Sequence, residues 1–372
     1  MIKLIAGLGL FFTAFTIKAQ NPKSARIPMT ADRWQFPPKS VEFIQYKGLA
    51  AAKILSDTAK LVLKGFDFTN GTIEFDVESL EPPFTGIYFR RQNDEESEYF
   101  YLRVGRAGMP QAMDAAQYCP VIKGVTIWDM LPYCQGPASI RKNDWIHIKL
   151  IVSGLQMLVY VNDMNRAALQ IPRLEADTKS GGLAFNGKSI FANLVVTPGE
   201  TNNLSASEGF DPTYHDSRYL REWLIYTPAM FLFGKDVNDE DLPGQNTVWN
   251  KITAERRGLL NLSRLFGNSK NRRIVWVKTT IKSDKEQVKK MDMGFSDEVW
   301  VIINGKLAYA DKNWFGHPIM KQPEGRCSIE NTSFMLPLKA GENELLIAVT
   351  NFFYGWGIIA RLDNLDGIEL IK

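Results

Sequence analysis

The chain has 372 residues, with 44 Lys and Arg against 41 Asp and Glu, and 12% of it is aromatic. So even a charge balance lacks the basic footprint of a nucleic-acid partner. The length exceeds what one hydrophobic core usually serves and predicts two domains.

Met1-Ile2-Lys3 leads into an uncharged apolar run from Leu4 to Ile17, followed by Lys18-Ala19-Gln20 and the polar Asn21-Pro22-Lys23. Residues 1–20 read as a signal peptide, because a run of this length falls short of the roughly 20 residues that cross a bilayer. The mature chain is expected to be secreted or periplasmic, with no transmembrane segment. Removing Lys3 and Lys18 leaves 42 basic residues against 41 acidic ones. In an exported protein Cys119 and Cys134 could pair, closing a loop worth roughly 3 kcal/mol in the chain-entropy picture. Cys327 would then remain as a buried free thiol.

From about Phe66 to Val196 the sequence breaks into short runs of period-two alternation, among them GTIEFDVE, TGIYFRR, SEYFYLRV, DWIHIKLIV and QMLVYVND. Such runs separated by Gly, Asn and Asp predict an all-β sandwich over residues 21–198. Residues 105–137 form a long apolar and aromatic excursion, expected to fold over a sheet face. Turn-forming residues 199–213 read as a linker. Beyond them, RRIVWVKTTI, EVWVIING, NELLIAVTN and GWGIIARLD predict a second β-sandwich over 214–372, with residues 220–233 either a strand pair or a short helix interrupted at Pro228. The fold class is thus all-β, two jelly-roll sandwiches in tandem.

Alternation sorts the first domain's strands into two faces. Ile73, Phe75, Val77, Ile87, Phe89, Phe100, Leu102 and Val104 form the expected core. The opposite face is expected to collect Glu74, Asp76, Glu78, Tyr88, Arg90, Tyr99, Tyr101 and Arg103, with His147 on the polar side of its own strand. Tyrosines beside arginines and carboxylates suit a sugar, whose C–H faces stack on rings and whose hydroxyls meet charged groups. The candidate carbohydrate-binding residues are Arg90, Tyr99, Tyr101 and Arg103, with Tyr118 and Trp128 of the excursion as stacking groups.

The segments Phe68-Thr69-Asn70-Gly71-Thr72-Ile73-Glu74-Phe75-Asp76-Val77, Gly86-Ile87-Tyr88-Phe89-Arg90, Tyr99-Phe100-Tyr101-Leu102-Arg103, Asp144-Trp145-Ile146-His147 and Ala192-Asn193-Leu194 together resemble the concanavalin-A-like lectin/glucanase superfamily, nearest its laminin-G-like and 3-keto-disaccharide-hydrolase-like branches, over residues 45–198. The spacing of Glu74, Asp76 and Glu78 matches the ExDxE string of retaining glucanases. Alternate residues on one face lie about 7 Å apart, within reach of the carboxylate separations that hydrolysis uses. The position of these acids, on a strand that is plainly structural in laminin-G-like relatives, argues against catalysis.

In the second domain, Gly294-Phe295-Ser296-Asp297-Glu298-Val299-Trp300-Val301-Ile302-Ile303-Asn304-Gly305-Lys306 and Leu338-Lys339-Ala340-Gly341-Glu342-Asn343-Glu344-Leu345 resemble the galactose-binding-like jelly roll of secreted glycosidases. Asn304-Gly305 is the expected hairpin turn and Asp297 the pin of another, with a calcium ligand as its sharper reading. Phe352, Phe353, Tyr354 and Trp356, and Trp314 with His317, form two aromatic groups, expected to seal the interface between the domains. No metal-ligand spacing, phosphate loop, nucleophile elbow or cofactor motif is present.

These features predict a secreted carbohydrate-binding protein, accessory to polysaccharide or glycan degradation. The alternatives are a glycoside or 3-keto-sugar hydrolase using Glu74 and Asp76, and an envelope module that binds other proteins.

Overall fold

A computed structural model describes residues 23–371, so the proposed signal peptide lies outside the described residues. Antiparallel strands dominate, arranged as two sandwiches of two sheets each. All-β architecture in tandem is what the alternation requires.

In one sheet of the first sandwich the order is Leu169–Ile171, Gln156–Val161, Ile146–Ser153, Gly71–Ser79, Ser189–Pro198, Leu49–Ile54 and Val41–Tyr46. The facing sheet runs Val125–Thr126, Ala116–Ile122, Ser97–Arg103, Phe84–Arg91, Gly182–Asn186, Lys60–Leu63 and Trp34–Gln35. Ile73, Phe75 and Val77 of one layer and Ile87, Phe89, Phe100 and Leu102 of the other are fully buried in a common core. Phe185 stacks on Phe191 across it, ring centroids 4.3 Å apart. Val104, expected in this core, instead begins a 3-10 turn just past the strand and is half-buried.

The assumption of one shared outer face is corrected here. Gly71–Ser79 and Phe84–Arg91, though consecutive, lie in opposite sheets. Their inner sides face each other, so their outer sides point in opposite directions. Alternation states which side chains turn inward, but the link over residues 80–83 decides the layer, and here it crosses between layers instead of closing a hairpin. The 105–137 excursion also contributes strands: Ala116–Ile122 pairs with Ser97–Arg103, while Val125–Thr126 and Gln135–Gly136 pair with Ala116–Ile122 in turn.

The second sandwich has one sheet ordered Asn250–Thr253, Glu222–Ile225, Arg273–Ser283, Gly341–Thr350, Glu298–Ile303 and Lys306–Lys312. The other is ordered Leu260–Asn261, Gly357–Leu362, Gln287–Ser296 and Thr332–Leu338. Residues 220–233 resolve as strands Glu222–Ile225 and Ala229–Met230 on either side of Pro228, which cannot donate to a ladder. Asn304 and Gly305 both have positive φ, 49° and 76°, as a two-residue hairpin turn demands. The Asn343 amide donates to the carbonyls of Ile281, Lys339 and Gly341, pinning the turn before its strand.

Candidate functional site

On the outer face of the Ser97–Arg103 sheet the structure gathers part of the predicted site. Tyr88 stacks on Tyr99 at 4.1 Å and 11°, and Tyr99 on Tyr101 at 5.0 Å and 27°. Gly86 makes the flat packing feasible, since a Cβ there would stand 2.8 Å from Tyr101 Cβ and 2.9 Å from the Tyr99 ring. The Arg103 guanidinium lies over Tyr101, Phe84 and Trp128 at 5.2, 5.4 and 5.6 Å. The Tyr101 hydroxyl donates to Gln117 Oε1 at 2.8 Å, and Gln117 Nε2 donates to the Trp128 carbonyl at 2.8 Å. Tyr101 and, from the neighbouring strand, Gln117 thus hold the loop that carries Trp128.

This face is not open to water. Tyr99 and Tyr101 are only 6% and 3% exposed, and burial drives both phenols well above their usual pKa. They form a platform beneath Trp128, which is itself buried.

The second sandwich completes the cover. Phe315 and Tyr354 meet the Trp128 ring edge-on, at 4.9 Å and 77° and at 5.8 Å and 78°. Arg326 lies 5.1 Å from the same ring, and Phe353 is parallel to Phe315 at 5.7 Å. Phe353 and Tyr354 thus take the interdomain role expected of them. Trp314 does not: it stacks between Phe233 and Phe352 on the second sandwich, with His317 at its edge. Phe315 and Tyr354 remain 39% and 51% exposed. The two arginines on the Trp128 ring carry further charges with them: Arg103 lies 3.5 Å from Asp114, which holds Arg106 bidentate at 2.8 Å on both oxygens, and Arg326 pairs with Glu324 at 3.1 Å. Asp114 is kept ionised, since the Arg106 and Arg103 charges outweigh the cost of its burial.

A buried carboxylate fixes the junction. Asp129, next to Trp128, accepts the Gly355 amide at 3.0 Å, and its carbonyl accepts the Cys327 amide at 2.8 Å. A Cβ at Gly355 would fall 2.5 Å from Asp129 Oδ1, so the contact requires glycine. Burial, reinforced by the nearby Asp297 charge, pushes Asp129 up to about 8. Asp297 accepts the amides of Phe352 and Phe353 and the Ser296 hydroxyl, so it pins the aromatic loop, as its turn-pin reading expects.

Other predicted residues lie elsewhere. Arg90 is buried at a bulge, where the pairing with Gly182–Asn186 shifts register and its φ is 48°. Its guanidinium donates to the carbonyls of Thr69 and Gly154 and to Asn70 Oδ1, and so serves the backbone. Tyr118 points into the sandwich interior, donating to Glu98 at 2.6 Å and accepting the Glu175 amide at 2.6 Å. Cys119 and Cys134 are free thiols. Cys119 sits in the outer aromatic cluster and Cys134 in the inter-sheet core, because they occupy opposite faces of the sheet.

Glu74, Asp76 and Glu78 lie in the other sheet, facing away from this cluster. Asp76 binds His147 Nδ1 and Asn193 Nδ2, both at 2.7 Å, and Glu74 reaches Lys149 at 3.4 Å. Glu78 is buried against the Tyr46 hydroxyl and the Lys47 ammonium. Although burial opposes it, hydrogen bonds from His147 and Asn193 hold Asp76 below the usual carboxylate range. A general acid needs the reverse shift.

Sequence reasoning missed Phe315, Arg326 and Gln117 as parts of the cluster. Phe315 and Arg326 belong to the irregular segment between strands Lys306–Lys312 and Thr332–Leu338, where no periodicity assigns a direction to any side chain.

No protein-family model matches the chain, and no curated protein matches it. Among solved structures it is similar to the carbohydrate-binding module CBM66 from Bacillus subtilis, with a TM-score of 0.32 and 12% identity over 44% of this chain and 96% of that one. It is similar to domain 4 of AbnA, an extracellular arabinanase from Geobacillus stearothermophilus in complex with arabinotriose, with a TM-score of 0.29 and 11% identity over 47% and 82% of the two chains. The Caenorhabditis elegans galectin LEC-6 gives a TM-score of 0.27 and 11% identity over 43% and 98%. What this chain can do is read from its own side chains.

Proposed function

We propose that this protein is exported and binds carbohydrate on the aromatic surface that its two sandwiches build around Trp128, beside a system that degrades glycans. The observation that carries this reading is that Phe315 and Tyr354 stay exposed while the buried Trp128 fixes both rings edge-on. Rings held in place lose little freedom when a pyranose stacks on them, and Glu324, paired with the Arg326 that lies on the Trp128 ring, can meet its hydroxyls. Tyr99, Tyr101 and Arg103 act from beneath, as the support that sets the orientation of Trp128.

Binding without hydrolysis fits the state of the acids. Glu74 and Asp76 are each engaged by cationic or amide partners, and Asp76 is held as an anion. Export is supported by the apolar run from Leu4 to Ile17. N-terminal sequencing of the chain recovered outside the cytoplasm is expected to begin near residue 21.

The test is a glycan array followed by affinity measurement on its hits. Tyr354→Ala and Phe315→Ala are each expected to weaken binding by about 3- to 10-fold, as the loss of one stacking contact implies. Silence of the native protein across the array, or binding indifferent to both substitutions, would overturn the reading.

A further inference from the structure

A cleft follows the seam between the sandwiches, running from Met130 and Cys327 to Arg173 and Asp211. It consists of two hollows of about 270 and 550 Å³ that share Glu175, Glu255 and Arg256 as lining residues. The sizes are of the order found for small-molecule sites. Glu175 comes from the first sandwich, Glu255 and Arg256 from the second. Arg264 ties them together, donating to Glu255 Oε1 at 2.6 Å and to the Glu175 carbonyl at 2.7 Å.

Two polar atoms in this cleft are buried without a partner. Glu175 is 6% exposed; its Oε2 receives Arg173 at 3.2 Å, but its Oε1 accepts no hydrogen bond. The Arg256 side chain is 5% exposed, and while its terminal nitrogens donate to the carbonyls of Gly209 and Phe210, its Nε–H has no acceptor. Leaving such a group unsatisfied costs about 1–3 kcal/mol, so a partner is expected. One atom is an acceptor and the other a donor. Hydroxyl groups, which both donate and accept, suit both kinds of atom.

The net charge of the lining narrows the class further. Four arginines and five acidic residues line the larger hollow, and most of these charges are already paired with one another. An anionic sugar would face more carboxylates than guanidinium groups, whereas a neutral polyol finds both donors and acceptors. The smaller hollow adds an aromatic wall, Tyr133, whose ring is held by the Arg257 guanidinium at 4.0 Å.

We propose that this seam is a second binding site, selective for a small neutral sugar whose hydroxyls bridge Glu175 and Arg256. Because both sandwiches line it, occupancy also clamps them together, and this site stands independently of the Trp128 surface.

The experiment titrates the purified chain with D-glucose, D-galactose, D-xylose, cellobiose and, as the anionic comparison, D-glucuronate, reading heat of binding and melting temperature. At least one neutral sugar is expected to bind and raise the melting temperature, with glucuronate weaker. Glu175→Gln should weaken that sugar by about tenfold, the equivalent of about 1.4 kcal/mol, while Tyr354→Ala leaves it unchanged. Glu175→Asp, which keeps the charge but withdraws the carboxylate from the hollow, serves as the second variant and should weaken it likewise. The proposal is overturned if no neutral sugar binds, if glucuronate binds best, if both Glu175 variants bind as the native protein does, or if only Tyr354→Ala removes binding. That last result would leave the Trp128 surface as the sole site. Loss of array binding alone would remove the Trp128 surface and leave the seam.

Discussion

The first sandwich has two outer faces built from the same alternating code, and they have opposite fates. On one, Tyr88, Tyr99 and Tyr101 stack into a ladder that is sealed by Trp128 and by loops of the second sandwich. On the other, Glu74, Asp76, His147 and Lys149 form a half-exposed lattice of charge pairs. Outward alternation therefore does not mean exposure. Rings attract a covering layer because their burial is favourable at roughly 25 cal/mol per Å² of apolar surface, whereas acids and lysines keep water as a partner.

Substitutions on the two faces should differ accordingly. The largest loss is expected for Trp128→Ala, which removes a ring touched by Arg103, Arg326, Phe315 and Tyr354. Large aromatic truncations in packed sites cost about 3–5 kcal/mol, measurable by urea unfolding. A cost near zero would mean that the interface does not depend on this cluster.

Next in size is the pH dependence of the junction. Asp129 has its pKa raised to about 8, so between roughly pH 4, where the unfolded chain releases this proton, and pH 8 the folded state holds the extra proton. Stability contributed here is greatest at low pH and falls as pH rises, by at most about 1.4 kcal/mol per pH unit for this group. Asp129→Asn, which stays uncharged, should reduce that slope and leave the part due to its buried neighbour Asp297, which burial raises to about 7. An unchanged slope would show that Asp129 titrates normally in the folded chain.

Smaller is Tyr101→Phe, which removes the donor to Gln117 while Arg103 still supplies one. A cost of about 0.5–1.5 kcal/mol is expected in thermal unfolding. Smallest is His147→Ala on the open face. The hydrogen bond that the His147 ring donates to Asp76 raises the His147 pKa, so its contribution is present below about pH 6.5 and is lost as pH rises through the raised value. With the ring partly in water, the loss should stay below about 1 kcal/mol and vanish at alkaline pH. A large effect at pH 9 would contradict the distinction between the faces.

Much of this was legible in the residues. Strand after strand, Ile73, Phe75, Phe89, Phe100 and Leu102 turn inward as their period requires, and Asn304-Gly305 turns where a hairpin needs positive φ. Tyr99, Tyr101, Arg103 and Trp128 do meet on one face. Arg90 escaped the pattern because a bulge shifts it off the alternating register, and Tyr118 escaped because its strand lies within an excursion read as a loop over the sheet.

By itself the sequence determined the all-β class and, for the regular strands, which side chains turn inward, because these follow from a two-residue period and from local turn chemistry. Only the tertiary structure decided which sheet each strand joins, that the tyrosine face is covered by Trp128 and the second sandwich, and that Glu175 and Arg256 line one seam. Those outcomes depend on contacts between residues distant in the chain, such as Asp129 with Gly355, and no local pattern encodes such pairings.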